Sequence, residues 1–106
     1  MDLGLRGSTA VVCAGSKGIG LAFAHSLAQE GCNLILNSRN SNHLLKVCSE
    51  IEKTYRVSVI PVAGDIQNFE THQLIFDKAF ENFSSIDILF TNCGGPRPSQ
   101  FDALSD

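Results

Sequence analysis

The chain has 106 residues, a formal net charge of −3, 43% hydrophobic residues and 18% charged ones. That is a globular composition, long enough for one small core and too short for several. The acidic balance without a basic patch excludes nucleic-acid and membrane-surface partners, and no apolar run approaches the ~20 residues of a bilayer span.

Strands and helices alternate along the chain, without an internal repeat. Residues 8–13 are short, apolar and β-branched, the mark of a buried strand. Residues 21–30 read as a helix with Ile19, Phe23 and Leu27 on one face, and Gly31 stands where a C-cap glycine belongs. Residues 32–36 form a second apolar strand. Ser41 or Asn42 caps a second helix with the stripe Leu44, Leu45, Cys48, Ile51 and Tyr55. Residues 57–62 form a third strand, in which Pro61 indicates an edge position or a strand end. Residues 69–83 form a third helix whose Phe76, Phe80 and Phe83 are assigned to the core. Residues 86–91 form a fourth strand, and residues 94–106 read as a loop with the start of a helix.

The pattern is βαβαβαβ. Crossovers of this length predict parallel strands joined by right-handed connections. The fold class is α/β, a Rossmann-like sheet of order 3-2-1-4. A ligand is expected at the carboxyl ends of the strands, where the order reverses between strands 1 and 4.

That is where the sequence is most distinctive. The run Val11-Val12-Cys13-Ala14-Gly15-Ser16-Lys17-Gly18-Ile19-Gly20 takes an apolar strand through a glycine-rich turn into a helix. Glycine lets the backbone turn tightly and lets a phosphate approach, and the helix behind it directs unpaired N–H groups at an anion. This order suits a dinucleotide pyrophosphate. Ser38 lies 18 positions after Gly20 with no carboxylate beside it. An acidic residue near there would hold a ribose 2′-hydroxyl and repel a 2′-phosphate. Arg39 instead offers a planar, permanently charged fork. Ser16, Lys17, Ser38 and Arg39 thus outline a 2′-phosphate pocket, and the expected cofactor is NADP(H) in preference to NAD(H). Two readings of Arg39 and of Lys17 remain, phosphate ligand or solvated cation.

Three segments resemble the short-chain dehydrogenase/reductase family. Cys13 to Gly20 is similar to its T-G-x-x-x-G-x-G turn: Gly18 and Gly20 match, Cys13 and Ala14 replace the Thr and first Gly, and a glycine is displaced to Gly15. Gly64-Asp65-Ile66 resembles the family's adenine-contacting segment, although Asp65 also suits a cap on the turn into helix 3. Thr91-Asn92-Cys93-Gly94 resembles the N-N-A-G motif, in which Asn92 ties the loop after strand 4 to neighbouring backbone. Gly95-Pro96-Arg97-Pro98 is similar to a 3-oxoacyl-carrier-protein reductase-like subgroup.

The resemblance implies a cofactor site made of Ala14, Gly15, Ser16, Lys17, Gly18, Ile19, Gly20, Ser38, Arg39, Asp65, Ile66, Asn92, Cys93 and Gly94. It also implies that residues 1–106 are the N-terminal part of a dinucleotide-binding domain. The family's chemistry uses a serine and a Tyr-x-x-x-Lys pair, yet the only tyrosine, Tyr55, is followed by Arg56, Val57, Ser58 and Val59. The chain alone is therefore expected to hold the cofactor without transferring hydride, and no catalytic residue is assigned. The alternative is a non-catalytic nucleotide-binding or protein-interaction module on the same half-fold. The edge of strand 4 suggests self-association. The four cysteines form no C-x-x-C pair and read as buried thiols, which with the absence of a signal-peptide layout at Met1 to Gly7 suggests a reducing cytoplasm. No metal site is expected.

Overall fold

The computed structural model describes residues 6–13, 18–83 and 85–91. The elements are β1 (Thr9–Cys13), α1 (Gly18–Gln29), β2 (Asn33–Ser38), α2 (Ser41–Tyr55), β3 (Val59–Ala63), α3 (Phe69–Asn82) and β4 (Ile88–Thr91). All pairings are parallel and the order is β3-β2-β1-β4, as the crossover lengths predict. Cys13 lies opposite both Asn37 and Thr91, and Ser38 opposite Ala63, so the carboxyl ends of the strands finish level.

Handedness decides which helix covers which face. α1 and α2 step the chain from β1 to β2 to β3, whereas α3 carries it back to β4, so right-handed crossovers put α3 on the opposite face. Side chains alternate along each strand to match. Ala10, Val12, Leu34 and Leu36 pack against Ala24, Leu27 and Ala28 of α1 and Leu44, Val47, Cys48 and Ile51 of α2. Val11, Cys13, Ile35 and Val62 face the other way, with Ile75 and Ala79 of α3. β1, covered on both sides, is buried throughout.

The helix faces differ from those expected. α3 buries Thr71, Ile75 and Ala79, one residue every turn, which rotates Phe76 and Phe80 onto the flank. They are 46% and 56% exposed and stack on each other at 6.4 Å, so the expected phenylalanine core of this helix is corrected to Phe83 alone, half-buried against the α3-side cluster. In α2, Leu45 is exposed and Val47 takes its place in the stripe. In α1, Ile19 is exposed because Gly20, Ala24, Leu27 and Ala28 form the buried face, three of them small enough to bring the helix close to the sheet. Phe23 stacks on Phe90 at 4.5 Å.

The boundaries follow local chemistry. α1 ends with Gly31 at φ +90°, its N–H bonded to Ala28 O while Cys32 N–H bonds to Leu27 O, the paired closure of a Schellman cap. α2 is capped one residue ahead of the expected position: Asn40 Oδ1 accepts from His43 N–H at 3.0 Å. β3 is an edge strand and carries Pro61 in its middle, and its Val59 N–H donates to Glu52 Oε2 of α2. At the amino ends of β1 and β4, Thr9 N–H donates to Asp87 Oδ2 and Asp87 N–H donates to Thr9 O, both at 2.9 Å. Cys13, Cys32 and Cys48 are buried thiols in no disulfide. Burial pushes the Cys32 thiol up, with the Glu30 and Asp87 charges adding to it.

Two measurements test this packing. A Cβ on Gly31 would sit 3.1 Å from Arg6 Cγ in a backbone region that side chains avoid. Gly31→Ala should therefore cost about 1–2 kcal/mol in urea denaturation. Burial, then the charge of Glu52, pushes the Cys48 thiol from 9.0 up to about 12. The unfolded chain releases that proton first, so the contribution is complete below pH 9 and is lost as pH rises toward about 12. Stability measured across that window should fall less steeply for Cys48→Ala than for the parent.

Candidate functional site

The rim at the carboxyl ends of β1, β2 and β3 gathers the described residues singled out by sequence. Gly18, Ile19 and Gly20 form the first turn of α1, which has no acidic residue to offset its positive dipole end. Gly18 sits at φ +57°, a backbone conformation that calls for glycine, and among the described residues nothing lies within 4 Å of where a Cβ would be. This helix begins three residues earlier than the sequence suggests, because the glycines belong to its first turn instead of preceding it.

A second arm continues β2. Ser38 is the last residue of the strand, which runs two residues past its predicted end at Leu36. Its Oγ accepts a long hydrogen bond from Asn40 N–H at 3.4 Å, bending the chain toward α2. Arg39 follows and is exposed.

A third arm continues β3. Gly64 N–H donates to Ser38 O at 3.0 Å, which brings the second and third arms side by side. Gly64 has φ +152°, and a Cβ would come within 2.6 Å of Thr71 Oγ1. Asp65 Oδ1 accepts from Gln67 N–H at 2.9 Å, and its carbonyl accepts from Asn68 N–H. Asp65 thus shapes the turn ahead of α3, while Asn68 holds the cap position without a side-chain bond. Ile66 is half-buried against the α3-side cluster, and its carbonyl accepts from His72 Nε2.

Ala14, Gly15, Ser16, Lys17, Asn92, Cys93 and Gly94 lie outside the described residues. Tyr55 is at the far end of α2 from this rim, where its hydroxyl is hydrogen-bonded to His25 Nδ1 of α1 at 3.0 Å.

Sequence reasoning missed Asn37. It is 1% exposed, and its Nδ2 donates to Val62 O at 3.0 Å and Gly64 O at 3.1 Å. The available signal was an amide directly after the apolar run Leu34-Ile35-Leu36, where the strand was taken to have ended. The rim therefore offers an anion a helix N-terminus and an exposed guanidinium, with a carboxylate-bearing turn alongside. Gly64→Ala should cost about 1–3 kcal/mol in urea denaturation from the backbone strain and the Thr71 clash together. The double variant Gly64→Ala/Thr71→Ala should regain only the steric part.

Comparison with known proteins agrees with this arrangement. Residues 8–106 match the short chain dehydrogenase family. The NADPH-dependent reductase BacG of Bacillus subtilis is 38% identical over 95 residues, which cover 89% of this chain and 37% of that protein. L-sorbose reductase from Gluconobacter frateurii, solved with NADPH and L-sorbose, superposes with a TM-score of 0.86 at 32% identity, over 92% of this chain and 37% of that one. A short-chain dehydrogenase/reductase from Burkholderia phymatum in complex with NAD gives 0.76 at 28% identity, over 80% and 30%. The chain spans 35% to 39% of the length of three curated relatives, BacG among them. What it spans is the nucleotide-binding portion of the family's oxidoreductase fold. With the family's model matched from Ser8 to the last residue, this chain belongs to the short-chain dehydrogenase family.

Proposed function

We propose that the rim binds NADP(H) in preference to NAD(H), as the cofactor-holding part of an oxidoreductase that moves hydride between a nicotinamide and a carbonyl or alcohol. The observation that carries this reading is the pair at the end of β2: Ser38, where an acidic residue would favour a free ribose, and then the exposed Arg39. Relatives named for NADPH and a relative solved with NAD both occur, so family membership alone leaves the choice to these residues.

In this reading Ser38, Arg39, Ser16 and Lys17 surround the 2′-phosphate. The turn from Ala14 to Gly20 and the start of α1 take the pyrophosphate. Asp65 and Ile66 border the adenine. Asn92, Cys93 and Gly94, next in sequence after β4, complete the site. Holding the cofactor is the function assigned to these 106 residues. A reducing cytoplasm is the compartment that suits a dinucleotide site beside buried thiols.

Fluorescence titration with NADPH and NADH tests the preference. Arg39→Ala should weaken NADPH binding about tenfold, the scale of one charge-assisted hydrogen bond, and change NADH binding little. Ser38→Asp should shift the preference toward NADH. Equal losses for both cofactors in Arg39→Ala would remove the assignment.

A further inference from the structure

We propose that Asn37 is a positioning residue that sets the spacing between the two arms of the nucleotide rim; this rests on the NADP(H) reading above. Asn37 shares the strand parity of Ile35 and lies opposite Cys13 and Val62, within the face that α3 covers. An apolar side chain there would continue the pattern of Val11, Ile35 and Val62 and fill the core without any polar group to satisfy. A buried amide is retained at a cost unless each of its groups is bonded.

The bonds it makes explain the choice. Both hydrogens of one nitrogen are spent on β3 and its extension, at Val62 O and Gly64 O. Gly64 N–H returns a bond to Ser38 O. Three hydrogen bonds thus staple residues 37–38 to residues 62–64, and the outermost fixes the carbonyl of Gly64, beyond the last paired residue, Ala63. Asn37 is one bond along the chain from Ser38 and two residues from Arg39. Gly64 directly precedes Asp65 and Ile66. A single side chain therefore sets how far the residues assigned to the ribose phosphate stand from those assigned to the adenine. The chemistry is particular to asparagine. Aspartate would turn an oxygen toward two carbonyls, serine and threonine supply one donor, and leucine supplies none.

Such a residue acts on binding through Arg39 and Asp65, so its signature is coupling. The test measures the affinity of the full chain for adenosine 2′,5′-bisphosphate by titration calorimetry, alongside melting temperature. The proteins are the parent, Asn37→Ser, Arg39→Ala and the double variant, with Asn37→Thr as a β-branched second replacement should the serine destabilise the strand. Asn37→Ser should weaken binding about tenfold, or about 1.4 kcal/mol. The double variant should lose little more than either single one, because Arg39 no longer stands where the phosphate arrives. Independent losses that multiply to about a hundredfold would overturn the proposal. So would a lowered melting temperature with affinity within about twofold of the parent, since Asn37 would then serve the fold alone. Failure of the underlying reading looks different: the parent would not bind the probe, or Arg39→Ala would bind it as the parent does.

Discussion

Right-handed crossover of parallel strands is the constraint from which the rest of this structure follows. α1 and α2 carry the chain outward in one direction, and α3 must carry it back past β2 and β1 to β4. The return trip forces α3 onto the opposite face. β1 then lies between neighbours whose connections leave on opposite sides, and the chain opens a crevice above its carboxyl end. The glycine-led entry into α1 is at that crevice because topology leaves no other place for it.

The same constraint explains why two cores form and differ in size. Among the described residues, two helices serve one face of the sheet and one helix serves the other. The larger cluster holds Cys32 and Cys48, and the smaller holds Cys13 at the base of the rim. A small apolar thiol suits tight space between helix and strand, and burial that keeps Cys48 protonated also keeps it unreactive.

The parts of this architecture that depend on periodicity and chain length were legible in the sequence. Element order, parallel pairing and strand order come from alternating apolar segments with crossovers too long for hairpins, and Gly31 announced the end of α1. What escaped depends on geometry between elements. Phe76 and Phe80 have helical spacing, but spacing fixes only that they share a face; the sheet packs against the neighbouring stripe of Thr71, Ile75 and Ala79. Asn37 escaped because its partners, Val62 and Gly64, are 25 and 27 residues away, beyond any local pattern. At the site, the pair Ser38 and Arg39 was readable from identity and offset. Its coupling to Gly64 was not, since that bond joins two strands.

The edge strand β3 has a further meaning. Gly64 N–H points inward to β2, while Val59 N–H points outward and is taken up by Glu52. Pro61 shares the outward parity of Val59 and has no N–H to present. One side of the sheet thus offers an incoming strand a donor already engaged and a donor that does not exist. Among the described residues β4 is the opposite edge of the sheet, and its Leu89 is exposed. At Val59 and Pro61 the outer edge of β3 is a poor template for strand addition, and one carboxylate and one imino ring make it so.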